Sequence, residues 1–165
     1  MRLEVQVRSA RLEDSPAIAD FINAARPNGA PVTPSAVIER FSNVGFLLAE
    51  QRGRIVGLLG WQVENLIVRV TDFLIAPAMD RLVAGRALIT KMEEQGCSLQ
   101  AEVTILFLPP ALSKDLIEYW EFFGYQHCPV VDMPRQWRAA VQEWNSQVTS
   151  VMIKRLRTSL VGRPI

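Results

Sequence analysis

The chain has 165 residues, of which 49% are hydrophobic, with 18 basic residues against 17 acidic ones. That length and apolar content suit one globular domain with a real core and exclude a disordered chain. A net charge of +1 gives no global attraction to nucleic acid or to a membrane surface, and no apolar run is long enough to span a bilayer.

The opening MRLEVQVRSARLED alternates and carries charge, without the apolar centre of a signal peptide. Leu3, Val5 and Val7 therefore read as a half-buried strand. Ser15-Pro16 is a helix start, with Ile18, Phe21, Ile22 and Ala25 at helical spacing behind it, and Arg26-Pro27-Asn28-Gly29 breaks that helix. Thr33-Pro34 repeats the start signal for a short helix carrying Val37, Ile38 and Phe41. Phe46 to Glu50 and Ile55 to Val63 form a hairpin around Arg52-Gly53, and Gly57 and Gly60 inside its second strand predict a close backbone approach or a bulge. Glu64-Asn65 turns into a strand over Leu66 to Ile75. A helix over Arg81 to Gln95 follows, with Leu82, Ala84, Ala87, Leu88 and Met92 on one face and Gly96 as its stop. Val103 to Leu108 is a short apolar strand ended by Pro109-Pro110. Ser113 caps the next helix, with Leu116, Tyr119, Trp120 and Phe123 on one side and Gly124 as its close. Tyr125 to Val131 is a strand interrupted by Pro129, Pro134 to Trp144 a helix, and Val148 to Ile153 a last strand. Lys154, Arg155, Arg157 and Arg163 then fall in a solvated, frayed tail, with one domain expected over residues 1–157.

The stretch from Arg69 to Gln95 carries the clearest chemistry. A strand that runs through a short link into a helix start presents unpaired N–H groups and partial positive charge, a place where phosphate binds. At this one Val83, Ala84 and Gly85 are uncharged, and Arg81 and Arg86 flank them. In the preceding strand Asp72 is the one carboxylate of the apolar part, sharing a face with Val68, Val70 and Leu74. Buried there, it is a candidate general base; its structural alternative is a hydrogen bond to a neighbouring strand or to Arg69. Glu64 and Glu102 are weaker candidates. The single histidine, His127, reads as a surface or edge residue, and Cys97 has no activating base nearby. Two cysteines without a CxxC spacing exclude a disulfide framework or zinc site and make a reducing cytoplasm the expected compartment. Trp137 and Trp144 lie on one face of their helix, which makes either core packing or a homodimer interface.

Four phrases in this order resemble the GNAT acyltransferase superfamily: VQVRSARLEDSPAIADFINAA, GRIVGLLGWQ, LIAPAMDRLVAGRALI and IEYWEFFGY. Together they span nearly the whole chain. The resemblance implies an α/β (α+β) fold, with a mixed, mostly antiparallel sheet of six to seven strands flanked by helices. It also implies a strand ending near Ile75 that splays from the one starting near Val103. In that opening the pantetheine arm of acetyl-CoA, the expected co-substrate, would pair with Phe73, Leu74 and Ile75. Its pyrophosphate would sit on the helix start formed by Leu82, Val83, Ala84, Gly85, Arg86 and Ala87, beside Arg81. A small-molecule or peptide amine would attack the thioester directly, without a metal, nucleic acid or membrane partner, while separate groups act as base and acid. The family's loop usually opens with Arg or Gln and has a glycine three residues later; here those positions are Asp80 and Val83, and only Gly85 is kept. A carboxylate beside a pyrophosphate costs about 1 kcal/mol at roughly 4 Å in a water-like dielectric. The family's frequent tyrosine acid falls on Trp120, with Tyr119, about 100° around the helix, as the available hydroxyl. These departures leave a second reading: a GNAT-like domain that has lost catalysis and serves as a CoA-binding or protein-interaction module.

Overall fold

A computed structural model describes residues 4–157. Its elements are β1 (Gln6–Ser9), α1 (Ser15–Ala25), α2 (Pro34–Arg40), β2 (Gly45–Gln51), β3 (Arg54–Glu64), β4 (Ile67–Ile75), α3 (Arg81–Ser98), β5 (Val103–Phe107), α4 (Lys114–Glu121), β6 (Gln126–Pro129), α5 (Arg135–Trp144) and β7 (Ser150–Arg155). The strands form one seven-stranded sheet in the order β1-β2-β3-β4-β5-β7-β6. β4 and β5 run parallel, while β1–β2, β2–β3, β5–β7 and β6–β7 are antiparallel. This is the mixed, mostly antiparallel α/β architecture expected. The β4–β5 register covers Ile67–Val70 against Val103–Leu106, and β4 then continues to Ile75. Among the described residues no helix is long and apolar enough to cross a membrane.

The chain divides into two compact units. The first holds the described residues up to Gln62 together with Thr71–Met92, and the second Val63–Val70 with the described residues from Glu93 onward. In the first unit, Ile18, Ala19 and Ile22 of α1 and Val37 of α2 pack against Phe46, Leu48 and Leu58. Helix α2 starts as its sequence dictates, with the Thr33 hydroxyl accepting from Ala36 N at 3.2 Å and Pro34 in the first turn. The hairpin loop is Arg52-Gly53, both at positive φ (54° and 73°), between the paired ends Gln51 and Arg54. A register shift past Ala49 leaves Val56 as an extra residue in β3, and its carbonyl accepts from Ala76 N at 2.9 Å. Both strand glycines mark close approaches. A Cβ on Gly57 would stand 3.0 Å from Leu88 Cδ1 of α3, and one on Gly60 would collide with the Asp72 carboxylate and lie 2.7 Å from Thr71 Oγ1.

In the second unit, Ile67, Val103, Ile105, Val130, Met133, Trp137, Val141 and Val151 form the core. Trp137 is 2% exposed, and Trp144 packs on the same core, so both α5 indoles serve this unit's packing. Two expectations are corrected here. Gly96 does not stop α3; it lies inside the helix, where a Cβ would meet Val68 Cγ2 at 3.1 Å and Leu156 Cδ1 at 3.3 Å. The stop is Gln100, at φ 68°, with Gln100 N donating to Cys97 O (3.0 Å) and Ala101 N to Gly96 O (2.9 Å). Strand β7 runs on to Arg155, so Lys154 and Arg155 belong to the sheet and not to a tail. Residues 158–165, with Arg163, lie outside the described residues. Gly124 ends α4 as expected, at φ 91° with Tyr125 N donating to Trp120 O at 3.2 Å.

Arg8 ties β1 to the entry of α1. Its two Nη atoms donate to Asp14 at 2.9 and 2.8 Å, and its Nε donates to Glu50 at 2.7 Å. The Arg8 hydrogen bonds, with Arg11 N donating as well, hold the Asp14 carboxyl down at about 2, against its ordinary 3.8. A carboxyl depressed in the folded state contributes stability above its unfolded value and loses it as pH falls toward the folded one. Stability should therefore drop by about 1 kcal/mol from this group, discounted for Arg8's exposure. The loss should fall between pH 3.8 and about 2. Urea denaturation across that range should show a shallower pH slope in Asp14→Asn than in the unaltered protein.

Candidate functional site

The end of β4 and the start of α3 both lie in the first unit. Ile75 is buried, Phe73 and Leu74 are half-buried, and Leu74 packs against the α1–α2 core. After Ile75 the chain turns through Ala76–Met79, closed by Met79 N donating to Ala76 O at 2.9 Å. Asp80 then caps α3. Its Oδ1 accepts from Leu82 N at 2.9 Å and Val83 N at 3.2 Å, and its carbonyl accepts from Ala84 N at 3.1 Å. Three N–H groups of the first turn thus have acceptors within the chain.

Ala84, Gly85, Leu88 and Met92 face inward, and Ala87 is half-buried. Leu82, expected on that buried face, is 43% exposed, and Val83 is 50% exposed. Arg81 and Arg86 are exposed on either side of the turn.

Asp72 sits on β4 facing α2. Arg40, in the last turn of α2, meets it as a fork, with Nη1 donating to Oδ1 at 2.9 Å and Nη2 to Oδ2. The Thr71 hydroxyl donates to Oδ2 at 2.7 Å. The Asp72 side chain is 12% exposed and that of Arg40 37%, while the Arg40 guanidinium also lies over the Phe46 ring, 5.1 Å from its centroid. Gly60 makes the room, since any side chain there would occupy the carboxylate's place. The expected candidate base is thus held by a neighbouring helix and not by Arg69. Arg69 belongs to the second unit, its guanidinium 4.2 Å above the Phe107 ring.

Tyr119 lies on α4 in the second unit, half-buried, edge-on to Trp120 and Phe123 at 6.3 and 5.2 Å between centroids. The buried Trp120 takes the core side, so the hydroxyl sits around the helix from it. Glu64 accepts from Trp144 Nε1 at 3.0 Å and Glu102 from Trp137 Nε1 at 3.3 Å. His127 is exposed on the edge strand β6, the surface or edge position expected of it, and Cys97 is exposed on α3. Burial pushes the Cys128 thiol up. Among the described residues, no group of three or more His, Cys, Asp or Glu could hold a metal ion.

One cluster escapes sequence reading altogether. Tyr125, 2% exposed, donates its hydroxyl to Glu93 Oε2 at 2.8 Å, and Lys154 Nζ donates to Glu93 Oε1 at 3.0 Å and to Phe123 O at 3.0 Å. Burial, with the Glu93 charge second, raises the Tyr125 hydroxyl well above its ordinary range. The Tyr125 hydroxyl therefore stays protonated and donates permanently. No sequence signal pairs these residues, because Glu93 and Lys154 are far apart in the chain and meet only through the fold.

No family model matches the chain, and no curated protein matches it. Solved structures do. A GNAT-family acetyltransferase from Staphylococcus aureus Mu50 superposes with a TM-score of 0.72 at 13% identity, over 93% of this chain and 99% of that one. The ribosomal-protein-S18-alanine N-acetyltransferase of Escherichia coli gives 0.69 at 13% identity, over 98% and 99%. N-acetylglutamate synthase from Neisseria gonorrhoeae, solved with coenzyme A and N-acetyl-glutamate, gives 0.68 at 16% identity; the match covers 96% of this chain but 36% of that protein. The chain has the GNAT fold.

The Arg40–Asp72 fork joins the last turn of α2 to a carboxylate whose side chain is 12% exposed. Arg40→Met should destabilise the protein by about 2 kcal/mol, since it strands a mostly buried carboxylate. Adding Asp72→Asn should recover part of that loss, read as a coupling energy in urea denaturation. Additive effects would show that the pair is not energetically linked.

Proposed function

We propose that the protein is an acyl-CoA-dependent N-acyltransferase that moves acetyl from acetyl-CoA to an amine. The observation that carries this reading is the course of β4. Its register with β5 ends at Val70, it continues to Ile75, and it turns directly into the start of α3 within the GNAT fold. In this reading the backbone of Phe73, Leu74 and Ile75 pairs with the pantetheine arm. The turn from Leu82 to Ala87, with Arg81 and Arg86 beside it, faces the pyrophosphate. The acceptor is a small-molecule or peptide amine. It attacks the thioester carbonyl as the neutral base form, its proton passes to a carboxylate or to solvent, and coenzyme A leaves as the thiol. Asp72 takes that proton only when its fork with Arg40 opens; while the fork is closed, water takes it.

One observation favours a second reading, a GNAT-fold module without catalysis: the Asp80 carboxylate already occupies the N–H groups of Leu82 and Val83. Calorimetric titration with acetyl-CoA and with free coenzyme A separates the two. The enzyme reading expects heat from both ligands, and thiol release from acetyl-CoA with at least one member of a panel of primary amines. Neither heat nor a thermal shift at millimolar ligand would sink it. Binding without thiol release across the panel would favour the module.

A further inference from the structure

The start of α3 holds a carboxylate where the acyl-CoA reading puts a pyrophosphate. The Oδ1 of Asp80 lies 2.9 Å from Leu82 N and 3.2 Å from Val83 N. An anion arriving at the same turn meets donors already in use and a negative charge beside them. Arg81 and Arg86, exposed on either side, are the cationic side chains of this turn. Ala84 N is bound to the Asp80 carbonyl, and the exposed side chains of Leu82 and Val83 are apolar.

We propose, resting on the acyl-CoA reading, that Asp80 is a specificity-determining residue: it competes with the donor's pyrophosphate for the N–H groups of Leu82 and Val83. Coenzyme A then binds this turn only when the carboxylate swings away. Asp80 is exposed at the end of a short link, so the movement needs rotation of one side chain and no repacking of the core. The consequence is selective. Asp80 weakens the part of the donor that carries phosphate and leaves the pantetheine and acyl parts untouched.

The test uses two ligands, coenzyme A and S-acetylpantetheine, of which only the first carries the pyrophosphate. It uses two substitutions. Asp80→Gly frees both N–H groups while remaining an acceptable helix cap, and Asp80→Asn removes the charge but keeps an acceptor oxygen. Unchanged circular dichroism, with a melting temperature close to that of the unaltered protein, verifies the fold of each. Calorimetry should show coenzyme A binding about tenfold or more tighter in Asp80→Gly, with Asp80→Asn intermediate. S-acetylpantetheine should change by less than about twofold, because it makes no contact with the turn. Unchanged or weaker coenzyme A binding in both variants would overturn the competition while leaving the acyl-CoA reading intact. Equal tightening of both ligands would also overturn it, since the effect would not then belong to the pyrophosphate. If neither the unaltered protein nor the variants bind coenzyme A, the acyl-CoA reading itself fails and the competition fails with it.

Discussion

The start of an α-helix leaves N–H groups that must find acceptors, and in α3 this requirement is met by one side chain. Asp80 takes two of those groups with its carboxylate and a third with its carbonyl. That cap fixes where the link from β4 ends and therefore the phase of the helix. With the phase set, Ala84, Leu88 and Met92 face inward, and Leu88 seats in the notch left by Gly57. The two glycines of β3 serve different neighbours by the same means. Gly57 admits a leucine of α3 and Gly60 admits the carboxylate of Asp72, so the absence of two Cβ atoms in one strand positions both a helix and an ion pair.

A cap stabilises the fold most when its donors are not needed elsewhere. A phosphate-binding turn is useful when they are free. The two demands conflict at Asp80, and a neutral or basic residue there would relieve the conflict at a cost to the helix of about 1 kcal/mol or less. The preserved Gly85 does not offset this, because it is buried in the helix and presents no free N–H to the turn. Fold-level likeness alone would not reveal that this helix start already carries its own acceptor.

Local rules made much of the fold legible. Thr33-Pro34, Ser113 and Gly124 act within a few residues of themselves, and each does what its sequence predicts. The failures are tertiary. Gly96 resembles a helix stop, but the reason for a glycine there is contact with Val68 and Leu156, and the left-handed turn falls on Gln100. Leu82 fits the helical period yet is exposed, because a period does not say where along a helix burial begins. The alternation in β4 puts Asp72 and Arg69 on different faces, but it does not name Arg40 as the partner, because nothing in α2 signals that its last turn reaches β4. Asp80 stands in the sequence at the head of this turn. Its capping role is a local signal as well, an Asp immediately before the first helical residue, Arg81.

The carboxylates weighed as bases share one property: each already accepts from a named donor. Asp72 faces a guanidinium fork and a hydroxyl, Glu102 a buried indole, and Glu64 an indole at the exposed end of α5. The cost of freeing them differs in kind. Opening the Arg40 fork separates two charges and leaves a carboxylate 12% exposed, whereas releasing Glu64 breaks one neutral N–H bond that water can replace. A charged fork holds geometry, and a single neutral bond at the surface yields readily. On that ground Asp72 is better suited to fixing α2 against β4 than to moving protons. A group that exchanges a proton in each turnover would have to be held as loosely as Glu64, or be replaced by water.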